Sequence, residues 1–261
     1  MKKSLITGGT GTIGRCMAKS LKGYDVTIFS RGEQRQAEMK AKHPEFNYII
    51  GDIRDSSGVY KAIKGQDYCF HLAALKHIDI CEQNAREAIM TNVQGSLNVI
   101  NACILNGCKL INMSSDKAVN PGSVYGRTKS LIEAVVLQAG FTNIRSGNIL
   151  WSNGSVLNIW LDQIREKNEI SITSMDMTRF FISPQTIVDF ILSKMDDPGT
   201  HTVPMDAYKL IDLASAFIQK YGNDKTKIKV TGLRLGERLH EYRDENTCSS
   251  DNLKTNVWGL I

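Results

Sequence analysis

Tyr125 and Lys129, in the stretch SSDKAVNPGSVYGRTK, lie four residues apart. On a helix that spacing puts them on one face, one turn apart. A free phenol titrates at about pH 10, and a neighbouring ammonium favours its ionised form, which makes the pair a general acid–base unit. With the Ser115 hydroxyl upstream, the set suits removing the proton of an alcohol while hydrogen leaves the carbon that bears it. Asp116 and Lys117 are surplus to that chemistry. They are an adjacent acid and base, and oxidising an alcohol needs neither.

Redox at an alcohol carbon needs a carrier, and the N-terminus offers a place for one. TGGTGTIGR holds Gly8, Gly11 and Gly14 between a predicted strand (4–7) and a predicted helix (12–22), with Thr12 and Ile13 opening the helix. In that context the glycines permit a tight turn and close backbone approach, and the helix N-terminus faces a pyrophosphate. An NAD site usually has an acidic residue at the end of the second strand. Here IFSRGEQR supplies Ser30 and Arg31, with Arg35 one turn on. A hydroxyl and a guanidinium suit a 2′-phosphate, so NADP is the expected cofactor. GDIRD puts Asp52 and Ile53 beside the adenine, and HLAALKH puts Leu72, Ala73 and Ala74 under the nicotinamide ribose. His71 reads as packing at the end of a strand, and His77 as part of a loop.

The elements that must position these groups alternate. Strands are predicted at 4–7, 25–30, 46–50, 67–73, 109–115 and 143–148, separated by helices, the longest over 84–106 with Ile89, Val93, Leu97, Ile100 and Ile104 at three- and four-residue steps. This pattern predicts an α/β fold, a doubly wound Rossmann-like parallel sheet. After Asn148 the alternation loosens, apart from a helix over 183–195 with a Ser-Pro start, and 202–261 reads as mixed. The expected division is a dinucleotide-binding domain over 1–148, with the helix 183–195 packed back on it. A smaller C-terminal substrate lobe takes 149–182 and 196–261.

Composition narrows the function classes. The 261 residues carry a net charge of +5 with no Lys/Arg block, which argues against a nucleic-acid arm. Six cysteines without C-x-x-C or His-interleaved spacing suggest reduced thiols of a cytoplasmic protein and no metal site. No run approaches the length of a membrane span, and the N-terminus lacks the apolar stretch of a signal peptide.

The glycine loop, Y-x-x-x-K and strand order resemble the extended short-chain dehydrogenase/reductases. Further segments are similar to one branch, the inverting UDP-N-acetylglucosamine 4,6-dehydratases of glycan and capsule biosynthesis. They include FSRGEQRQAEMK, ALKHIDICEQN, TNVQGSLNVINAC, SDKAVNP, MTRFFIS and GLRLGERLHE, and the likeness runs from about residue 4 to about residue 241. SDKAVNP and GLRLGERLHE discriminate best. Retaining 4,6-dehydratases carry Asp-Glu in place of Asp116 and Lys117, and simple epimerases lack an acid/base pair there. Ser115 stands where the branch usually has Thr. The chain ends soon after GERLHE, where the family generally continues, so oligomer state and substrate-loop closure are the expectations the resemblance carries least.

The resemblance implies roles. Ser115 and Tyr125 hold the substrate oxygen, and Lys129 lowers the tyrosine's pKa and grips the nicotinamide ribose. Arg179 and Arg234 match positions that contact the nucleotide, Glu237 would bond the uridine ribose or orient Arg234, and Lys76 and Asn148 belong to the substrate pocket, Lys76 also meeting the cofactor. The implied reaction oxidises C4 of a UDP-N-acetylhexosamine, eliminates water across C5–C6 and reduces C6, recycling a tightly bound NADP. Lys117 is expected as base at C5 and Asp116 as acid for the 6-hydroxyl, so Lys117 must shed a proton and Asp116 must hold one. The pair could instead pass the proton between them, and sequence leaves both orders open. A homo-oligomer is expected. Alternatives are a UDP-sugar 4-epimerase or reductase on the same scaffold and, from a different class, a non-catalytic NADP-binding sensor.

Overall fold

Short apolar runs separated by helices become a seven-stranded, wholly parallel sheet in the computed structural model, which describes residues 1–261. The strands in chain order are β1 (Lys2–Thr7), β2 (Tyr24–Ser30), β3 (Asn47–Ile50), β4 (Tyr68–His71), β5 (Lys109–Met113), β6 (Thr142–Arg145), β7 (Asn148–Ile149), β8 (Glu169–Ile172), β9 (Thr178–Ile182), β10 (Gly199–Thr202), β11 (Asp206–Lys209) and β12 (Lys227–Val230). The large sheet runs β10-β6-β5-β4-β1-β2-β3. The helices are α1 (Thr12–Ser20), α2 (Glu33–Lys42), α3 (Ser56–Ile63), α4 (Ile78–Gln83), α5 (Ala85–Ala88), α6 (Gly95–Asn106), α7 (Val124–Gln138), α8 (Val156–Lys167), α9 (Pro184–Lys194) and α10 (Leu210–Tyr221).

The central strands are apolar on both sides, so both faces of the sheet must be covered. β4, YCFH, is buried at every position. Met17 of α1, Met39 of α2 and Ile187 and Ile191 of α9 close one face. Val59 of α3, Val99 and Ile100 of α6, and Ile132 and Val136 of α7 close the other. The order of β3 through β6 reverses between β1 and β4, and in such sheets ligands bind at that crevice, beyond the strands' carboxyl ends.

One boundary of the expected division moves. Gly199 to Thr202 pair in register with Thr142 to Arg145, so the last strand of the large sheet comes from the segment assigned to the smaller lobe. Its sequence, GTHT, has no apolar residue by which it could be read as a strand. α9 packs against α1. The smaller lobe holds two small sheets, β11-β9-β7 and β12-β8. They enclose Trp160, Leu213 and Phe217, and the Trp160 indole N–H donates to the Ser171 carbonyl at 2.8 Å.

The long helix also differs from expectation. It is interrupted by a wide π turn over Ile89–Gln94, and Ile89 and Ile104 are 50% and 54% exposed, although Ile100 is buried. Val93 and Leu97 pack on the core with Ile100 as expected, and around the wide turn the inward side also carries polar residues. Asn92 accepts from the Leu75 amide at 2.8 Å and donates to the Leu75 carbonyl at 2.9 Å. The wide turn rotates the face so that Asn92 and Ser96 can satisfy Leu75 and His71 at the carboxyl end of central β4, which period counting cannot register. By length and composition Ala85–Asn106 could cross a membrane; half of its most apolar window is buried inside the protein.

His71, at the end of β4, bonds the Thr7 hydroxyl through Nδ1 at 2.7 Å and the Ser96 hydroxyl through Nε2 at 2.9 Å. Burial, helped by the Lys129 charge, lowers its pKa from 6.5 to about 3. The folded protein therefore keeps the ring neutral at pH values where the unfolded chain protonates it. That stabilisation is complete above pH 6.5 and is lost as pH falls toward about 3, at roughly 1.4 kcal/mol per pH unit. Urea midpoints should fall with acidification more steeply in the wild type than in His71→Gln, and equal slopes would discount the ring.

Candidate functional site

A cleft of about 810 Å³ opens at the carboxyl ends of β1, β2 and β4, a volume in the range of small-molecule and cofactor sites. Gly8 has φ +68°, and a Cβ there would lie 2.9 Å from the Ala73 amide nitrogen. A Cβ on Gly14 would come within 2.5 Å of the Gly9 Cα, so only glycine lets α1 seat on the loop. α1 starts at Gly11 with no side-chain cap and no acidic residue in its first turn, which leaves its amides facing the cleft for an anion. Thr12, Ile13, Gly11 and Gly14 line this end, and Leu72, Ala73, Ala74 and Lys76 line the opposite wall. The glycine cradle and uncapped helix fit a dinucleotide.

At the far end stand Ser30, Arg31, Arg35 and Ile53. Arg31 is half exposed and free to turn toward a ligand, apart from a 3.6 Å ion pair with Asp52. Asp52 itself does not line the cleft, contrary to expectation, whereas its neighbours Gly51 and Ile53 do. Arg54 explains this: its guanidinium grips the Asp52 carboxylate at 2.7 and 3.0 Å and holds it away. The Ser30 hydroxyl already accepts from Gln36 Nε2 at 3.0 Å. Gln36 was missed because a glutamine in a charged helix carries no signal of burial.

A second cavity, about 340 Å³, continues from the first and shares Ile13, Leu72, Ala74 and Lys76 with it. Ser115, Lys117, Tyr125 and Lys129 all front it. β5 delivers Ser115, whose hydroxyl caps a single 3-10 turn, Asp116–Ala118, by accepting from the Lys117 amide at 3.3 Å. Ser123 caps α7 by accepting from the Gly126 amide at 3.0 Å. Between Tyr125 and Lys129, Gly126 is required: a Cβ there would strike the Lys117 carbonyl oxygen. That bare glycine is how the helix bearing the tyrosine sits directly on the turn bearing Lys117.

Burial pushes the Tyr125 phenol up to about 12, against the pull of the Lys117 charge and a hydrogen bond with Ser115. The strongest cation acting on the phenol is thus Lys117, not Lys129 as the resemblance implied. Lys129 donates to the Met113 carbonyl at 2.7 Å, and burial lowers its pKa to about 8 in spite of Glu133. Asp116 is fully buried and does not front the cavity. Its Oδ1 accepts from Lys117 Nζ at 3.0 Å and from Ser115 Oγ at 2.9 Å, and Oδ2 has no partner. Burial works against the Lys117 charge, but attraction to Asp116 and Glu241 outweighs it, and the pKa ends above the ordinary lysine value.

Asn148, Arg179, Arg234 and Glu237 line the outer part of the same cavity. Arg234 is exposed, and its amide donates to Glu237 Oε2 at 3.2 Å. Arg179 is 6% exposed and largely committed. Its guanidinium donates to the carbonyls of Thr178, Leu239 and Arg238 at 2.8, 3.0 and 2.8 Å, and lies 3.6 Å from Glu237. It fastens the GERLHE segment to β9, which a reading of one arginine at a time did not foresee. Lys76 reaches across to the Asn153 carbonyl at 2.7 Å, and burial lowers its pKa. The segment around Asn153 and Glu241, which faces Lys117 at 3.6 Å, were also missed. Glu241 lies within the quoted GERLHE motif, but nothing in its spacing marks it as facing Lys117.

Residues 4–256 match the family profile described as polysaccharide biosynthesis protein. A UDP-N-acetylglucosamine 4,6-dehydratase (inverting) of Campylobacter jejuni is 38% identical over 260 residues, covering 92% of this chain and 76% of the relative. A UDP-glucose 4-epimerase of Rickettsia bellii is 35% identical over 261 residues with the same coverage. Among solved structures, Pen from Bacillus thuringiensis superposes with a TM-score of 0.89 at 34% identity, over 92% of this chain and 82% of that one. A dTDP-glucose 4,6-dehydratase of Streptomyces venezuelae, 17% identical with a TM-score of 0.82 over 91% and 86%, shares the fold.

Proposed function

We propose that this chain, which belongs to the polysaccharide biosynthesis protein family of extended short-chain dehydrogenase/reductases, is an NADP-dependent UDP-N-acetylglucosamine 4,6-dehydratase that inverts C5. The observation that carries the reading is the lysine packed against the tyrosine. Lys117 and Tyr125 front one cavity, so beyond any charge it lends the phenol, Lys117 can exchange a proton with a substrate held there, which an elimination needs and an alcohol oxidation does not.

Bound in the larger cleft, an oxidised nicotinamide dinucleotide would supply a reversible two-electron acceptor for C4. Tyr125 takes the proton of the 4-hydroxyl, and Ser115 orients that oxygen. Lys129, near neutral pH in its pKa, balances the charge beneath them. A carbonyl at C4 acidifies the C5 hydrogen. Lys117 fronts the cavity and removes it, the 6-hydroxyl leaves as water with the proton the Lys117 ammonium gives back, and the hydride taken from C4 would return to C6. Asp116, enclosed behind Lys117, acts through that lysine and Ser115 and does not touch the sugar. Return of a proton to C5 from the opposite face would invert it. Arg234 and Glu237 suit the nucleotide end, with Lys76 and Asn148 nearer the sugar.

Incubation with UDP-N-acetylglucosamine should yield a product lighter by one water, with C5 inverted by NMR. Unchanged mass with a new hexose would favour the epimerase reading, which the Rickettsia relatives' name supports. The cofactor reading rests on Arg31 and Arg35 beside Ser30. Arg31→Ala should weaken NADP binding about 10- to 100-fold in calorimetry and leave NAD unchanged, the scale of one or two charged hydrogen bonds. Equal affinities in the wild type would refute NADP preference. All six cysteines are free, which supports a reducing, cytoplasmic setting. Exposed Ile104 and Leu105 on α6 and Leu131 and Leu137 on α7 support a homo-oligomer seated on those helices.

A further inference from the structure

Lys117 faces a second buried carboxylate that the mechanism leaves unused. Glu241 is 3% exposed and its Oε1 lies 3.6 Å from Lys117 Nζ. Its position is built, not incidental. The Glu241 amide donates to Ser249 Oγ at 2.9 Å, the Ser249 amide donates to the Glu241 carbonyl, and Ser249 bonds Thr178 of β9. Two buried carboxylates thus flank one ammonium, and they are not equivalent. Asp116 Oδ1 already accepts two hydrogen bonds, from Ser115 Oγ and from Lys117 Nζ. The carboxylate of Glu241 accepts none.

We propose that Glu241 holds the proton of Lys117 while Lys117 acts as base at C5, a positioning role that rests on the dehydratase reading. Lys117–NH₃⁺ and Glu241–COO⁻ become Lys117–NH₂ and Glu241–COOH. One N–H bond breaks, one O–H bond forms, nothing is oxidised, and the net charge of Asp116, Lys117 and Glu241 is unchanged. The neutral amine then takes the C5 proton, and the ammonium so formed can protonate the departing 6-hydroxyl. The gap exceeds a charge-assisted hydrogen bond by roughly 0.8 Å, within side-chain motion. The charged groups facing Glu241 are Lys117 and Asp116 from the 3-10 turn, Arg179 from β9 and Arg238 from its own segment. Burial and Asp116 raise its pKa, and the three cations oppose them.

The test compares wild type with Glu241→Gln, following water loss from UDP-N-acetylglucosamine from mildly acidic to mildly alkaline pH. The wild type is the reference at each pH, because its Lys117 proton stays within the cluster and the titration of Lys129 is common to both proteins. The variant should lose about 10- to 100-fold at neutral pH and recover as pH rises and solvent takes the lysine's proton, with KM and dinucleotide affinity unchanged. An equal loss at every pH would mean a merely structural glutamate, and no loss a spectator; either overturns the proposal. A wild type that forms no dehydrated product overturns the reading itself, before the variant is consulted. Should Glu241→Gln not fold, infrared spectra of the wild-type holoenzyme decide. A carboxylic C=O band should grow on substrate binding, and its absence overturns the proposal.

Discussion

Tyr125→Phe should leave a folded protein that binds the dinucleotide and turns over nucleotide sugar about 10³-fold more slowly or not at all. The substitution removes one oxygen. The ring keeps its packing against Cys81 and Ala88, so stability should change by only about 1 kcal/mol. What disappears is the one group that fronts the cavity beside both Ser115 and Lys117 and can take a proton from a sugar hydroxyl. Because every later step requires the C4 carbonyl, no water loss can precede its action. The measurement is paired: absorbance of reduced cofactor on adding substrate, and mass of the released sugar. Both signals should vanish together. Persistence of either at more than a few per cent would move the first proton transfer to another residue, with Lys117 the nearest candidate.

Legibility in the sequence followed periodicity. β1 through β6 lie close to where the alternation puts them, most of them carrying buried apolar residues between glycines or polar turns, although β3 lies largely exposed at the sheet's edge and β6, TNIR, has one apolar residue. The glycine loop and the Tyr125/Lys129 spacing were legible for a related reason: their geometry is local, set within one turn of chain. Features made by tertiary contact were not. β12 is only four residues long and pairs with β8 from more than fifty residues away, so although EISI and KIKV each alternate, nothing local marks them as partners. α10 went unread inside a stretch taken as mixed, although Leu213, Ala214 and Phe217 make an inward stripe. At the site the same division holds. Asp116 and Lys117 are neighbours in sequence, yet their unlike exposure, one sealed and one fronting the cavity, depends on how α7 sits on the turn at Gly126. Glu241 and the committed guanidinium of Arg179 depend on a segment that folds back from the C-terminal lobe, a contact no local pattern encodes.

Lys117→Ala should separate the two halves of the proposed reaction. Hydrogen labelled at C4 should still exchange with the bound cofactor, more slowly because the phenol loses the Lys117 charge, since Ser115, Tyr125 and Lys129 remain. Loss of water should fall by about 10²- to 10⁴-fold, the usual contribution of a positioned acid–base group. An epimerase would behave in the opposite way and keep its turnover, so retained activity would refute both the base assignment and the dehydratase reading. Stability supplies an independent signature. Removing the ammonium leaves Asp116 and Glu241 buried without the cation between them, and breaking a buried pair in this way costs about 3–5 kcal/mol. The sign with pH follows from Glu241, whose pKa burial and Asp116 already raise and whose chief opposing charge is Lys117. Without that charge the folded state binds a proton more tightly than the unfolded chain. The variant's stability should therefore fall as pH rises from the ordinary carboxylate range through the raised value, and its deficit against wild type should be smallest in mild acid. Thermal midpoints of both proteins across that range test it. A deficit independent of pH would mean that the two carboxylates do not depend on Lys117, and the acid–base cluster at the centre of the proposed mechanism would have to be redrawn.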